Sequence, residues 1–278
     1  MPELPEIQAH AERLAQDFSG ATLSRFEPLS FTVLRTYAPD PAEAVGATLD
    51  EVGRRGKLLL LRFGRLTFVV HPMQGGRLRP DPKQAAKPRN GIARWRFEDG
   101  RALLLTEPGK ERKAGVWLVG GDPLSQPPLD DLGPEIDQLG RDELAALLTD
   151  TSMRVHGFLR DQHLVAGVGR RLANEICHRS RLSPFATTTK LSDDEVDRLH
   201  RAIGEVIAES LEFERAQDEM VSAAERPGSV HDRAGEACPV CGEEVRAVEY
   251  RAYTVAYCPG CQTNGKVLAD NTTSKFLK

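Results

Sequence analysis

The chain opens Met1-Pro2-Glu3-Leu4-Pro5-Glu6, and after it Ile7, Leu14 and Phe18 recur among polar neighbours until Gly20. That spacing predicts a helix over residues 3–18, with the glycine as its stop. A small second residue permits removal of the initiator methionine, which leaves Pro2 with a free secondary amine. An α-amino group titrates near pH ~8, so a useful fraction is uncharged at neutral pH. An uncharged amine can attack an electrophilic sugar carbon or aldehyde and form a Schiff base. Glu3 is adjacent and Glu6 lies one helical turn further on, so acid/base groups are close by. Taken alone, a Met-Pro start is more often without catalytic meaning, and Glu3 equally suits the positive end of a helix.

Beyond the helix the pattern changes. Short apolar runs (58–61, 66–70, 95–97, 103–105 and 116–119) alternate with turn signals such as Phe63-Gly64-Arg65 and Glu98-Asp99-Gly100. Such runs predict an antiparallel sandwich or barrel. The Pro-rich stretch from Asp122 to Pro134 reads as an interdomain hinge. Helical patterns follow at 142–148, 155–160 and 170–181, the last entered through Gly167-Val168-Gly169. Ser192-Asp193-Asp194-Glu195 is a capping-box start for a long helix to about Gln217. Residues 218–236, polar and containing Pro227-Gly228, read as a flexible loop.

Two CxxC pairs close the chain, Cys238-Pro239-Val240-Cys241 and Cys258-Pro259-Gly260-Cys261. Their separation suits one structural zinc held by Cys238, Cys241, Cys258 and Cys261 on two knuckles, with no coordination position left open for chemistry. Redox CxxC sites come singly. Cys177 lies within a helical pattern and reads as a small buried hydrophobe. Paired metal-binding cysteines suit a reducing cytoplasm, and no apolar run approaches the ~20 residues of a membrane span. The acidic N-terminus is unlike a signal peptide.

The net charge of −4 argues against nucleic acid only when averaged over the chain. Residues 1–130 carry +3 and 151–190 carry +5, whereas 191–229 carry −7. Arginine and lysine bunch at 54, 55, 57, 62, 65, 77 and 79, and again at 170, 171, 179 and 181. Local fields of this kind bind phosphates, although arginine runs are as often plain solvated surface.

The order of these parts resembles the bacterial formamidopyrimidine-DNA glycosylase and endonuclease VIII family, nearly end to end. The resemblance is carried by the opening hexapeptide, Gly53-Arg54-Arg55-Gly56-Lys57, the stretch Asp161 to Gly169, Ala173-Asn174-Glu175 and the cysteine pairs. The Leu-Pro-Glu opening is closer to the formamidopyrimidine branch. The resemblance implies an α+β multidomain chain. Residues 1–125 would form a catalytic antiparallel β-sandwich with its N-terminal helix, 135–220 a helix-two-turns-helix DNA-binding domain, and 230–270 a zinc finger, with DNA in the cleft between domains. It implies a base-excision repair glycosylase with abasic-site lyase activity, acting as a monomer on damaged or abasic DNA with the base flipped out of the stack. Pro2 would be the nucleophile, Glu3 the general acid/base, and Lys57 a phosphate ligand beside the lesion. The alternative is a non-catalytic binder of abasic or damaged DNA on the same scaffold.

The departures bear on DNA binding. Arg170 stands where the family places a phosphate-gripping asparagine, and His156 where it places a lysine. Tyr253 stands where the finger carries an arginine, with Arg251 two residues earlier as a substitute that needs a shifted hairpin. Met73 matches the intercalating methionine, but the segment 107–115 has no aromatic to fill the rest of the gap. Weaker opposite-base selectivity, or a preference for opened or abasic substrates, is therefore expected. The loop from Gln217 to His231 lacks a Gly-rich cap for an oxidised purine, which weighs against 8-oxoguanine specificity.

Overall fold

Ile7, Ala11, Leu14 and Phe18 lie on one stripe of helix α1 (Leu4–Phe18) and are all buried, so the N-terminal helix forms by covering an apolar face. Pro5 sits in its first turn, where the missing N–H is not needed. The structure, a computed structural model, describes residues 1–109, 112–220, 225–250 and 253–268. It divides into two compact units, Met1–Leu132 with Gln217–Val221, and Gly133–Ala216 with Ser222–Lys278.

The first unit holds eight strands: β1 (Leu23–Pro28), β2 (Leu49–Arg55), β3 (Leu58–Phe63), β4 (Leu66–His71), β5 (Arg77–Pro80), β6 (Gly91–Phe97), β7 (Ala102–Thr106) and β8 (Gly115–Gly120). They form two four-stranded sheets, ordered β1-β6-β7-β5 and β2-β3-β4-β8, with every pair antiparallel. The sheets meet through aromatic rings. Phe68 of one lies 5.0 Å from Phe26 and 5.7 Å from Trp95 of the other, and Phe63 packs edge-on to Phe68 at 5.7 Å. This is a sandwich, one of the two architectures the apolar runs allowed.

The unbroken run of leucines in β3 has a reason. Leu59 and Leu61 point into the sandwich, while Leu58 packs with Val69, Val119 and Leu129 on the opposite face of the sheet. Leu129 comes from the Pro-rich stretch read as a hinge, so that stretch covers a sheet face as far as Leu132. Met220, within the loop expected to be flexible, is also buried in the sandwich core.

The second unit holds α2 (Arg141–Asp150), α3 (Val155–Arg160), α4 (Arg170–Arg179), α5 (Asp193–Arg215), the hairpin β9 (Arg246–Glu249) and β10 (Thr254–Tyr257), and the single turn α6 (Pro259–Gln262). Ser192 caps α5 as its sequence predicts: the Glu195 carboxylate accepts the Ser192 amide at 2.9 Å. Gly167, at φ 105°, occupies a conformation that side chains disfavour, and Gln162 clamps that turn. Its Nε2 donates to the carbonyls of Arg160 and Val168, both at 2.9 Å, while its Oε1 accepts from the Gly167 amide at 3.1 Å. Cys177 is fully buried and its thiol is pushed up to about 12 by burial, as an inert core residue requires. Among the described residues no helix is long and apolar enough to cross a membrane.

Candidate active site

In the first unit, Pro2, Glu3 and Glu6 are all buried at the start of α1. The Glu6 carboxylate accepts the Glu3 amide at 2.9 Å, which fixes the backbone immediately after Pro2. Helix α1 packs on β2 and β3, and Arg54 Nε donates to Gln8 Oε1 at 2.8 Å between helix and sheet. Lys57 follows Gly56 in the tight β2–β3 turn, where Gly56 takes φ 55°. Lys57 itself is 5% exposed, unlike a strand-end surface charge.

Lys57 and Met73 are linked through His71. Burial first, and then the Lys57 charge, push the His71 imidazole down to about 4. It is therefore neutral at physiological pH, and its Nδ1 accepts the Met73 amide at 2.9 Å. Met73 takes φ 53°, a left-handed conformation rare for a side chain and stored where surrounding structure enforces it. Gly76 closes the turn: its amide donates to Pro72 O at 2.8 Å, and a Cβ there would lie 2.2 Å from that oxygen. His71 was missed from the sequence, because one histidine at a strand end carries no motif.

Much of the basic cluster of this unit is structural. Arg55 donates to Leu132 O at 3.1 Å, Arg62 pairs with Glu51 at 2.9 Å, and Arg79 with Glu219 at 3.4 Å. After β7 the buried Glu107 carboxylate accepts the Ala114 amide at 2.8 Å, just before β8.

In the second unit, Arg170 is the first residue of α4, directly after the Gln162-clamped glycine turn. His156 lies on α3, 3% exposed, and burial foremost pushes it down to about 3. Tyr253 ends the loop before β10, where the Tyr250 amide donates to its carbonyl at 2.9 Å. The hairpin pairs in unbroken register from Arg246–Tyr257 to Glu249–Thr254, without a shift. Arg251, the expected substitute for the finger arginine, lies outside the described residues.

The cysteines converge. The sulfurs of Cys238 and Cys261 are 3.8 Å apart and those of Cys241 and Cys258 3.3 Å. A tetrahedron with metal–sulfur bonds of ~2.3 Å has edges of about 3.8 Å, so the donor set fits a zinc-sized ion. Burial foremost pushes the Cys258 thiol up to about 11, and Cys261 is raised as well. Thiolates so close together need a cation among them. One neighbour was not foreseen: His178 of α4 places Nε2 3.4 Å from Cys238 Sγ, and it groups with Cys238, Cys258 and Cys261 within 4.8 Å. It lies sixty residues from the nearest cysteine pair, so no spacing rule reveals it.

The motif Ala173-Asn174-Glu175 acquires a role. The Glu175 carboxylate accepts the amides of Ser229, Val230 and His231 at 2.8, 3.0 and 2.8 Å, tying the segment before the finger to α4. Asn174 is buried and its Nδ2 lies 2.8 Å from His231 Nδ1.

Comparison with known proteins places the fold in one family. Residues 1–117 match the formamidopyrimidine-DNA glycosylase N-terminal domain and residues 132–221 its H2TH domain. A formamidopyrimidine-DNA glycosylase of Symbiobacterium thermophilum is 32% identical over 276 residues, covering 94% of this chain and 89% of that protein. The crystal structure of the MutM (Fpg) protein of Thermus thermophilus superposes with a TM-score of 0.80 at 31% identity, covering 94% of this chain and 98% of that one. A Lactococcus lactis Fpg in complex with abasic-site DNA shares the fold, with a TM-score of 0.84 at 21% identity, covering 94% and 99%.

Proposed function

The chain belongs to the formamidopyrimidine-DNA glycosylase family, and on that premise we propose that its repair chemistry is carried by Pro2 and Glu3. It is a DNA base-excision repair glycosylase and abasic-site lyase. The observation that carries the assignment of residues is the buried Pro2-Glu3 pair at the start of α1, its backbone fixed by Glu6. Burial disfavours a charged amine, so a Pro2 nitrogen released by loss of Met1 is held toward its nucleophilic form. That nitrogen bonds to C1′ as the C1′–base bond breaks, and the base leaves with the bonding electrons. The departing base takes the N–H proton from the new C1′–N bond, Glu3 protonates the sugar ring oxygen as the C1′–O bond breaks, and the freed nitrogen lone pair completes an iminium ion at C1′. Loss of a C2′ proton expels the 3′ phosphate in β-elimination, and loss of the C4′ proton then expels the 5′ phosphate in δ-elimination, which nicks the strand on both sides. Hydrolysis of the iminium ion by water frees Pro2 and leaves the sugar remnant as an aldehyde.

Lys57, kept beside His71 in its neutral form, holds a phosphate near the lesion, and Met73 enters the gap left by the flipped nucleotide. Arg170 binds phosphate through a fork-shaped guanidinium at the α4 N-terminus, where the helix dipole adds to its charge. Cys238, Cys241, Cys258 and Cys261 hold one zinc, which when bound closes the finger and does no chemistry. The protein acts as a monomer in the cytoplasm.

Borohydride trapping on an oligonucleotide with one abasic site tests the assignment. Protein shown by mass to lack Met1 is expected to form a covalent adduct mapping to Pro2. Pro2→Gly, whose amine is primary, is expected to trap more weakly. No adduct from protein that binds the same DNA would favour the non-catalytic binder.

A further inference from the structure

Two departures from the family pattern, 97 residues apart in sequence, meet at one place in the second unit. His156 and Tyr253 both line a cavity of about 450 Å³, together with Arg154, Phe185 and Tyr250. That volume lies within the range of small-ligand sites. Where the resemblance expects a lysine and an arginine for phosphates, this chain presents aromatic rings.

The rings are ordered relative to one another. Tyr250 and Tyr253 stack with centroids 4.7 Å apart and planes 14° from parallel. His156 lies parallel to Tyr253 within 15° at 6.2 Å. The Arg160 guanidinium sits 4.1 Å from the centre of the Tyr253 ring, so a cation steadies the stack. Both tyrosines remain partly exposed. His156 Nε2 is buried and has no hydrogen-bond partner among the described residues. Leaving such a group unmatched is costly unless a ligand completes it. Burial keeps this imidazole neutral, so it offers a hydrogen bond and no charge.

We propose that this cavity is a stacking site for an unpaired nucleobase, so that the second unit holds single-stranded or locally opened DNA through the Tyr250–Tyr253 pair. Every base has a π-face, so stacking tolerates any sequence, and it is available only where bases have left the duplex. Arg154 is exposed at the cavity rim and supplies the charge for the adjoining phosphate. Its Nη1 donates to Phe185 O at 2.5 Å, which fixes the guanidinium there. His156 Nε2 meets the edge of the base. The inference rests on the chain binding DNA, as its repair function requires, but not on Pro2 chemistry.

The test uses the full zinc-loaded protein and two fluorescent probes: a single-stranded oligonucleotide containing 2-aminopurine, and the same sequence as a duplex. Wild type is expected to quench 2-aminopurine in the single strand. The double variant Tyr250→Phe/Tyr253→Phe keeps the rings and is expected to retain both quenching and affinity. Tyr250→Leu/Tyr253→Leu is expected to lose the quenching and to bind the single strand roughly tenfold more weakly, with duplex affinity changed less than twofold. Arg154→Gln, a surface change that leaves the rings in place, is expected to lower the salt dependence of single-strand binding by about one phosphate contact. Equal quenching and affinity in the leucine and phenylalanine variants would overturn the proposal, as would a salt dependence untouched by Arg154→Gln. Trapping on an abasic duplex is run on the same proteins. Loss of trapping in wild type with tyrosine-dependent single-strand binding intact would reject the Pro2 assignment alone.

Discussion

Replacing Glu175 with alanine isolates the carboxylate that joins α4 to the segment leading into the finger. It accepts three backbone amides, at 2.8 to 3.0 Å, from Ser229, Val230 and His231. Hydrogen bonds to a charged group contribute ~1.5–3 kcal/mol each, and a buried amide left unmatched costs about 1–3 kcal/mol. Val230 is fully buried, so water cannot replace its lost acceptor cheaply. The other two sites are partly exposed and count for less, which brings the expected loss to about 3–5 kcal/mol. For a chain of this size each kcal/mol moves the melting temperature by roughly 2–4 °C, so a fall of about 10 °C is expected. Because two units need not unfold together, hydrogen exchange at the amides of 229–231 gives the local readout. Glu175→Gln keeps one acceptor oxygen and should fall between wild type and alanine. Gly228→Ala should act in the same direction, since a Cβ there would lie 2.9 Å from the Glu175 Oε1. Unchanged protection at 229–231, with melting within about 0.5 kcal/mol of wild type, would refute the reasoning.

Two further outcomes follow from the buried groups. Removing zinc with a chelator is expected to expose the finger thiols and release protection of β9 and β10, with one zinc recovered per chain; a metal-free protein keeping that protection would contradict the four-cysteine assignment. Stability is also expected to fall with pH between 6.5 and 4. His10 and His71 are each held down at about 4, and His156 at about 3, chiefly by burial. The unfolded chain therefore binds protons in that window that the folded chain does not. Stability is complete above pH 6.5 and is lost on acidification. For His10 alone the loss at pH 5 is about 2 kcal/mol, and urea unfolding at pH 7 and 5, compared with His10→Asn, measures it. Identical curves for the two proteins would remove His10 from the account.

What the sequence revealed follows from how each signal arises. The central strands are apolar runs because both of their faces are covered, as Leu58 and Leu59 show on opposite sides of β3. Strands β1 and β5 gave no such run. They are the two edges of their sheet, and each buries one or two side chains among charged neighbours, as edge strands do. Helices were legible because caps and stops are local, Ser192 and the Gly167 turn above all. The cysteine pairs were legible because both knuckles are written in four residues each. His71, His178 and Glu175 were not, since each acts on residues distant in sequence and carries no spacing of its own. Met220 illustrates the limit most plainly, for a methionine in a polar loop shows nothing of the core it enters.

The departures are unevenly distributed, and that unevenness is informative about affinity. Pro2, Glu3, Lys57 and Met73 retain the family pattern in the first unit. In the second unit His156 and Tyr253 each replace an expected cation, while Arg170 adds one where a neutral asparagine is expected. With these positions assigned as the resemblance implies, the net change would be one phosphate-binding charge fewer. Each phosphate contact contributes about 0.9 to the slope of log affinity against log salt, so the purely electrostatic hold on duplex DNA weakens. Stacking is far less sensitive to salt, and it needs bases that are already unpaired. Exchanging charge for rings therefore reduces attraction to intact duplex more than attraction to opened DNA. The net charge of −4 is thus no obstacle to a DNA-repair enzyme: under the proposed stacking site, more of the discrimination would fall to groups that meet bases already out of the stack.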